Sequence, residues 1–131
     1  METKITTFHR GLLWLAAITG LVFGLAYYLV PELATKTLGI YAPDPLAIRT
    51  IGGFLLGEAI GAWLALRSGQ WGQVRIVTLY LMGWNILNSL ALFHAILLTG
   101  QSLSLLPNAI LTAVLGLGLA FVAWQRRAGK S

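Results

Sequence analysis

The sequence predicts an all-α membrane protein: a single-domain bundle of four transmembrane helices. Three observations predict it. Of 131 residues, 57% are hydrophobic and 10% charged, with a mean hydropathy of +0.78, whereas soluble domains are about a quarter charged. Four apolar stretches, 11–30, 48–66, 74–98 and 107–124, match the ~20 residues needed to cross a hydrocarbon core of about 30 Å. Short segments of alternating polarity, the signature of a transmembrane barrel, are absent.

Each element has a local reason. Thr6 or Thr7 is placed to cap the first helix, 11–30, and Pro31 stops it. Lys4 and Arg10 precede this run as in a signal peptide, but it is longer than a signal core and no A-x-A motif follows. A retained helix is therefore expected. Tyr27 and Tyr28 suit an outer aromatic belt and Trp14 an inner one. Pro31, Leu33, Ala34, Thr37 and Leu38, closed by Gly39, predict a short interfacial helix in loop one. Asp44-Pro45 reads as a cap and first residue, so the second helix spans 45–66, with Arg49 near its outer end.

The connection 67–73 is tight, which predicts that the second and third helices form an antiparallel hairpin. Gly100 ends the third helix, 74–98, and Pro107 opens the fourth, 107–124, giving a second hairpin.

Charge distribution excludes a nucleic-acid partner. The net charge is +5, but Lys4, Arg10, Arg67, Arg75, Arg126, Arg127 and Lys130 all fall on one side of the predicted topology. Lys36 and Arg49 fall on the other, offset by Glu32 and Asp44. Such a bias places both termini in the cytoplasm, with the basic residues against anionic lipid. Inner-membrane location follows as an expectation.

Enzyme chemistry finds no foothold. With no cysteine, thiolate ligands, thiol nucleophiles and disulfides are excluded. H-E-x-x-H, P-loop and G-x-S-x-G motifs are missing, as are carboxylates at metal-ligand spacing. His9 and His94 are predicted at opposite ends of the bundle, so they could not bracket one haem iron. No catalytic residue, cofactor or metal is expected.

Glu58 is the functional lead, as the one acidic residue inside any apolar stretch. A carboxylate at the centre of a spanning helix costs about 2.5–3.5 kcal/mol on insertion scales. A polar partner or a wet cavity should offset that cost. At 1.5 Å per residue, Glu58 lies about 12 Å from the cytoplasmic end and Asn85 about 16 Å, with Thr19 and Gly116 at similar depth. An amide serves either protonation state of an acid, so Glu58–Asn85 is the expected buried pair.

Gly53, Gly57 and Gly61 form a small-xxx-small stripe beside Glu58, predicted to pack a helix or to admit a ligand. Tyr27, Tyr28, Arg49, Asn88 and Asn108 fall about 21–26 Å from the cytoplasmic ends. With His94 slightly further out, they are expected to line an outer vestibule in which Arg49 attracts an anion.

The chain resembles small bacterial four-helix membrane proteins of the broad DoxX-like group. The resemblance rests on Pro31-Glu32, Arg49-x-x-Gly52-Gly53 and Leu66-Arg67-Ser68-Gly69. It implies a bundle in the cytoplasmic membrane and little about activity. Small multidrug transporters are similar in size, but their membrane glutamate lies in the first helix, where this chain has none. The motifs of small fluoride channels are absent too.

Two functions are therefore expected. One is a non-enzymatic accessory, scaffold or lipid- or small-molecule-binding protein, self-associated or bound to a larger membrane partner. The other is a proton-coupled transporter or channel, acting as a homodimer through Glu58.

Overall fold

The computed structural model describes residues 4–38, 44–100 and 103–129. Within them the chain forms α1 (Thr7–Leu29), α2 (Pro31–Leu38), α3 (Pro45–Ser68), α4 (Trp71–Leu98) and α5 (Leu106–Arg127), the last entered through a 3-10 turn, Leu103–Leu105. The four longer helices are long and apolar enough to cross a membrane. Gly39 and Lys130, read above as a helix stop and a cytoplasmic charge, lie outside the described residues.

Short polar side chains cap the starts of α1 and α3. Thr6 accepts a hydrogen bond from His9 N at 3.2 Å, and Asp44 accepts one from Leu46 N at 2.8 Å. Gly69, at φ +68°, closes α3 in the left-handed conformation that favours glycine. Only Gly69 and Gln70 then separate α3 from α4. Hydropathy had marked 67–73 as the connection, because it registers affinity for lipid. Backbone hydrogen bonding continues through the polar ends.

The long helices alternate in direction and assemble as two tight pairs, α1 with α3 and α4 with α5. Though joined by the shortest loop, α3 and α4 touch far less. Glycine placement explains why this antiparallel hairpin packs more loosely than the two pairs. A Cβ on Gly52 would stand 2.7 Å from Tyr28 N and 2.9 Å from Gly24 O; one on Gly20 would stand 2.8 Å from Leu55 O. In the second pair, a Cβ on Gly116 would meet Ile86 N at 2.9 Å. Backbones meet at these points, and such close approach drives helix association where lipid offers no hydrophobic incentive. Larger side chains stand between α3 and α4, including Phe54 and Trp84 with ring centroids 6.1 Å apart.

Leu13, Ala16, Ala62, Leu81, Leu115 and Leu119 form a dry layer where the two pairs meet. The outside is apolar as well: Ile18, Val22, Ile60, Ile76, Leu87, Leu97 and Leu117 are exposed. Only 17–39% of the most apolar window of each long helix is buried within the molecule. An apolar exterior that continuous suits a bilayer and is far beyond what soluble monomers tolerate.

The basic end is tied shut. Ile5 N donates to Gly69 O at 3.0 Å, and Arg126 Nη2 donates to Lys4 O at 2.6 Å. His9 is fully buried there, its ring centroid 5.8 Å from that of Trp71 and Nε2 3.0 Å from Thr78 Oγ1. The Thr78 hydroxyl proton is committed to Val74 O at 2.9 Å. Nε2–H is therefore the donor, and Nδ1 keeps a buried lone pair with no partner. Thr78→Val removes the acceptor and strands that N–H. A stability loss of about 1–3 kcal/mol is expected on SDS-titrated unfolding, with Thr78→Ser near wild type.

Candidate functional site

Among the described residues, two buried side-chain hydrogen bonds cross the seam between the helix pairs. His9–Thr78 is one; in the other, Asn85 Nδ2 donates to Glu58 Oε1 at 2.8 Å. The dry leucine-alanine layer lies between them. On α4 the inward face repeats as Val74, Thr78, Leu81, Asn85 and Ser89, all buried. Each neighbour is three or four residues on, so one stripe carries both polar crossings. That spacing was the signal in the sequence for Thr78.

Glu58 and Asn85 are buried with 5% and 2% exposure, and both are held. Asn85 Nδ2 also donates to Leu81 O at 2.9 Å, which fixes the amide orientation. Trp84 lines the cavity beside the carboxyl. The acid therefore has a partner without any basic residue near it. Such pairing offsets part of the cost of an embedded carboxyl.

A cavity of about 230 Å³ begins at this pair and extends toward the end of the bundle that carries Tyr27 and Asn108. All four long helices line it. Glu58, Asn85, Asn88, Asn108, Tyr27, Thr19 and Thr112 supply the polar groups, with Phe23, Trp84 and aliphatic side chains around them. Thr19 and Thr112 spend their hydroxyl protons on carbonyls of their own helices. The Asn88 and Asn108 amides have no hydrogen-bond partner among the described residues. A cavity of about 150 Å³ holds a benzene-sized guest, so this one has room for a small organic molecule.

The expected vestibule is divided. Tyr27, Asn88 and Asn108 line the cavity with Glu58, whereas Arg49 and Tyr28 line a shallow depression on the outer face with Leu46, Thr50, Gly53 and Phe54. His94 is exposed, away from both. A helical turn of 3.6 residues explains the split: Tyr28 and Arg49 each sit one step, about 100°, from the buried positions Tyr27 and Ile48. Depth along the axis placed these residues correctly but said nothing of azimuth. Arg49 therefore belongs to the depression beside Tyr28 and is not among the residues around Glu58.

Two of the three glycines in the stripe, Gly53 and Gly57, face outward, and Gly61 faces α4. Nothing lies within 4 Å of a Cβ built on Gly53 or Gly57, and one on Gly61 meets only Val77 Cγ1 at 3.7 Å. Within the chain the close helix contacts are made instead by Gly20, Gly24, Gly52 and Gly116. Among the described residues, no group of three or more potential metal ligands occurs.

Fold and site together define a class of molecule: a multi-pass, all-helical membrane bundle with one internal acid at the inner limit of a small cavity. Compared with family models, curated proteins and solved structures, the chain finds no match.

Proposed function

We propose that this chain is a non-enzymatic protein of the bacterial cytoplasmic membrane that binds a small amphipathic molecule through an amine or other cationic head. One observation carries the reading: Glu58 and Asn85 stand at the inner limit of a cavity lined by no basic side chain. Phe23, Tyr27 and Trp84 add aromatic faces, which attract cations by about 0.5–2 kcal/mol each according to desolvation. The Asn88 and Asn108 amides and the Tyr27 hydroxyl are placed to orient the rest of the ligand. The positive-inside bias supports cytoplasmic termini, with α2 lying at the outer interface. Sequence resemblance to the DoxX-like group is in keeping with this location. The outward Gly53–Gly57 face leaves room for a second copy or a larger membrane partner.

Purified protein in a neutral detergent should bind benzylamine in preference to benzyl alcohol, and benzoate least, read by native mass spectrometry and tryptophan fluorescence. Glu58→Gln should weaken benzylamine at least tenfold, about 1.4 kcal/mol, and leave benzyl alcohol unchanged. Equal affinity for the three probes, or binding insensitive to Glu58→Gln, would sink the proposal.

The buried acid also supports a second reading, proton-coupled transport by a homodimer. Transport needs access from both faces, and the dry layer formed by Leu13, Leu81, Leu115 and Leu119 blocks the path toward the basic end. That layer favours the binding reading. Ligand-driven proton flux in liposomes, lost in Glu58→Gln, would reverse the preference.

A further inference from the structure

A second cavity, of about 190 Å³, lies between α4 and α5 at the basic end, far from Glu58. Trp71, Arg75, Leu79, Ala123, Arg126 and Arg127 line it. Three guanidiniums thus face one small space, and no carboxylate is among the lining residues. Arg126 is already held: Nη2 donates to Lys4 O at 2.6 Å, and its guanidinium carbon lies 5.6 Å from the Trp71 ring centroid. Among the described residues, the other N–H groups of that fork have no hydrogen-bond acceptor.

Helix dipoles account for only part of this cluster. Arg126 and Arg127 stand in the last turn of α5, where a cation is favoured. Arg75 stands in the second turn of α4, beyond the reach of that helix's dipole, so no helix end accounts for its place in the cluster. An anion in the cavity would offset the mutual repulsion of the three like charges that line it. Its expected depth fits as well. The 28 residues of α4 extend about 42 Å against a hydrocarbon core of about 30 Å, which puts Trp71 and Arg75 among the headgroups.

We propose that this cavity binds a phosphate group at the membrane surface, carried by an anionic phospholipid or present as the free ion. Forked guanidiniums match the tetrahedral oxygens of phosphate in two-point contacts. Leu79 and Ala123 give the apolar side on which a glycerol backbone or the upper part of an acyl chain would rest. The site is independent of the Glu58 cavity and of any ligand bound there.

The test is native mass spectrometry of the full chain released from zwitterionic detergent, with phosphatidylglycerol or inorganic phosphate added. Wild type should retain one phosphatidylglycerol per chain. Arg75→Gln with Arg127→Gln should lower that affinity at least tenfold, whereas Arg10→Gln with Arg67→Gln should not. The second pair removes the same charge from the same end, outside the cavity. Arg126 is left intact because it anchors Lys4, and thermal unfolding should show both double variants folded. Retention of lipid that millimolar phosphate does not displace assigns the phosphate to a phospholipid. Retention of phosphate without lipid assigns it to the free ion. Equal losses in the two double variants, or no retention of either probe by wild type, would overturn the proposal.

Discussion

Gly52→Leu should prevent α1 and α3 from pairing. Overpacking against movable side chains costs about 1–3 kcal/mol. The obstacles here are Tyr28 N and Gly24 O, backbone atoms 2.7 and 2.9 Å from where even a methyl would stand. Relief would require the two helices to separate, so a loss of more than ~3 kcal/mol is expected. Total stabilities of about 5–15 kcal/mol make that a severe defect. SDS-titrated unfolding and elution volume in detergent would register it. Gly53→Leu and Gly57→Leu, in open space on the neighbouring face, should leave monomer stability within about 0.5 kcal/mol. Any effect of theirs should appear in association with a partner or a second copy. Unfolding of the Gly57→Leu monomer as severe as that of Gly52→Leu would refute this packing scheme.

The second large effect is expected at the cavity. Asn85→Leu keeps the branched skeleton of heavy atoms but removes the Nδ2 donor that Glu58 and Leu81 O both use. A buried acceptor left unmade costs about 1–3 kcal/mol. Glu58→Gln is gentler, since its amide oxygen can take the place of Oε1, and the fold should survive while amine binding falls. The double change Glu58→Leu with Asn85→Leu should cost less than the sum of the two single leucine variants. Couplings between polar groups in membranes average about 0.6 kcal/mol and reach about 1.7, and a thermodynamic cycle of unfolding would measure this one. Strict additivity would mean that the pair contributes nothing as a pair.

These two results probe different levels of legibility. Glu58 and Asn85 could be matched from their depths alone, because 1.5 Å per residue converts position in a span into height in the bundle. The same arithmetic grouped Tyr27 with Tyr28 and set Arg49 beside Asn88, although adjacent helical residues point about 100° apart. Which of two neighbours faces inward depends on the partner helix. Glycines posed the same problem: Gly52 and Gly53 look alike in the sequence, yet one meets a backbone and the other meets open space. His9 was read as a residue at the bundle entrance. Only the packed fold seats it on Thr78, distant by 69 positions in the chain.

By itself, the sequence determined four helices apolar enough to span a membrane, a capped start at Asp44, a first cap at Thr6 or Thr7, and the single acid within those helices. These follow from local hydropathy and backbone chemistry, which need no knowledge of neighbours. Tertiary structure alone decided that α1 pairs with α3 and α4 with α5, that the cavity lies on the seam between them, and that Arg49 stands outside it. The lipid-facing and core-facing sides of these helices are both apolar, so hydrophobicity cannot orient them as it does in water. Rotation and pairing are set instead by where backbones can touch, and that depends on which glycines of one helix meet the surface of another.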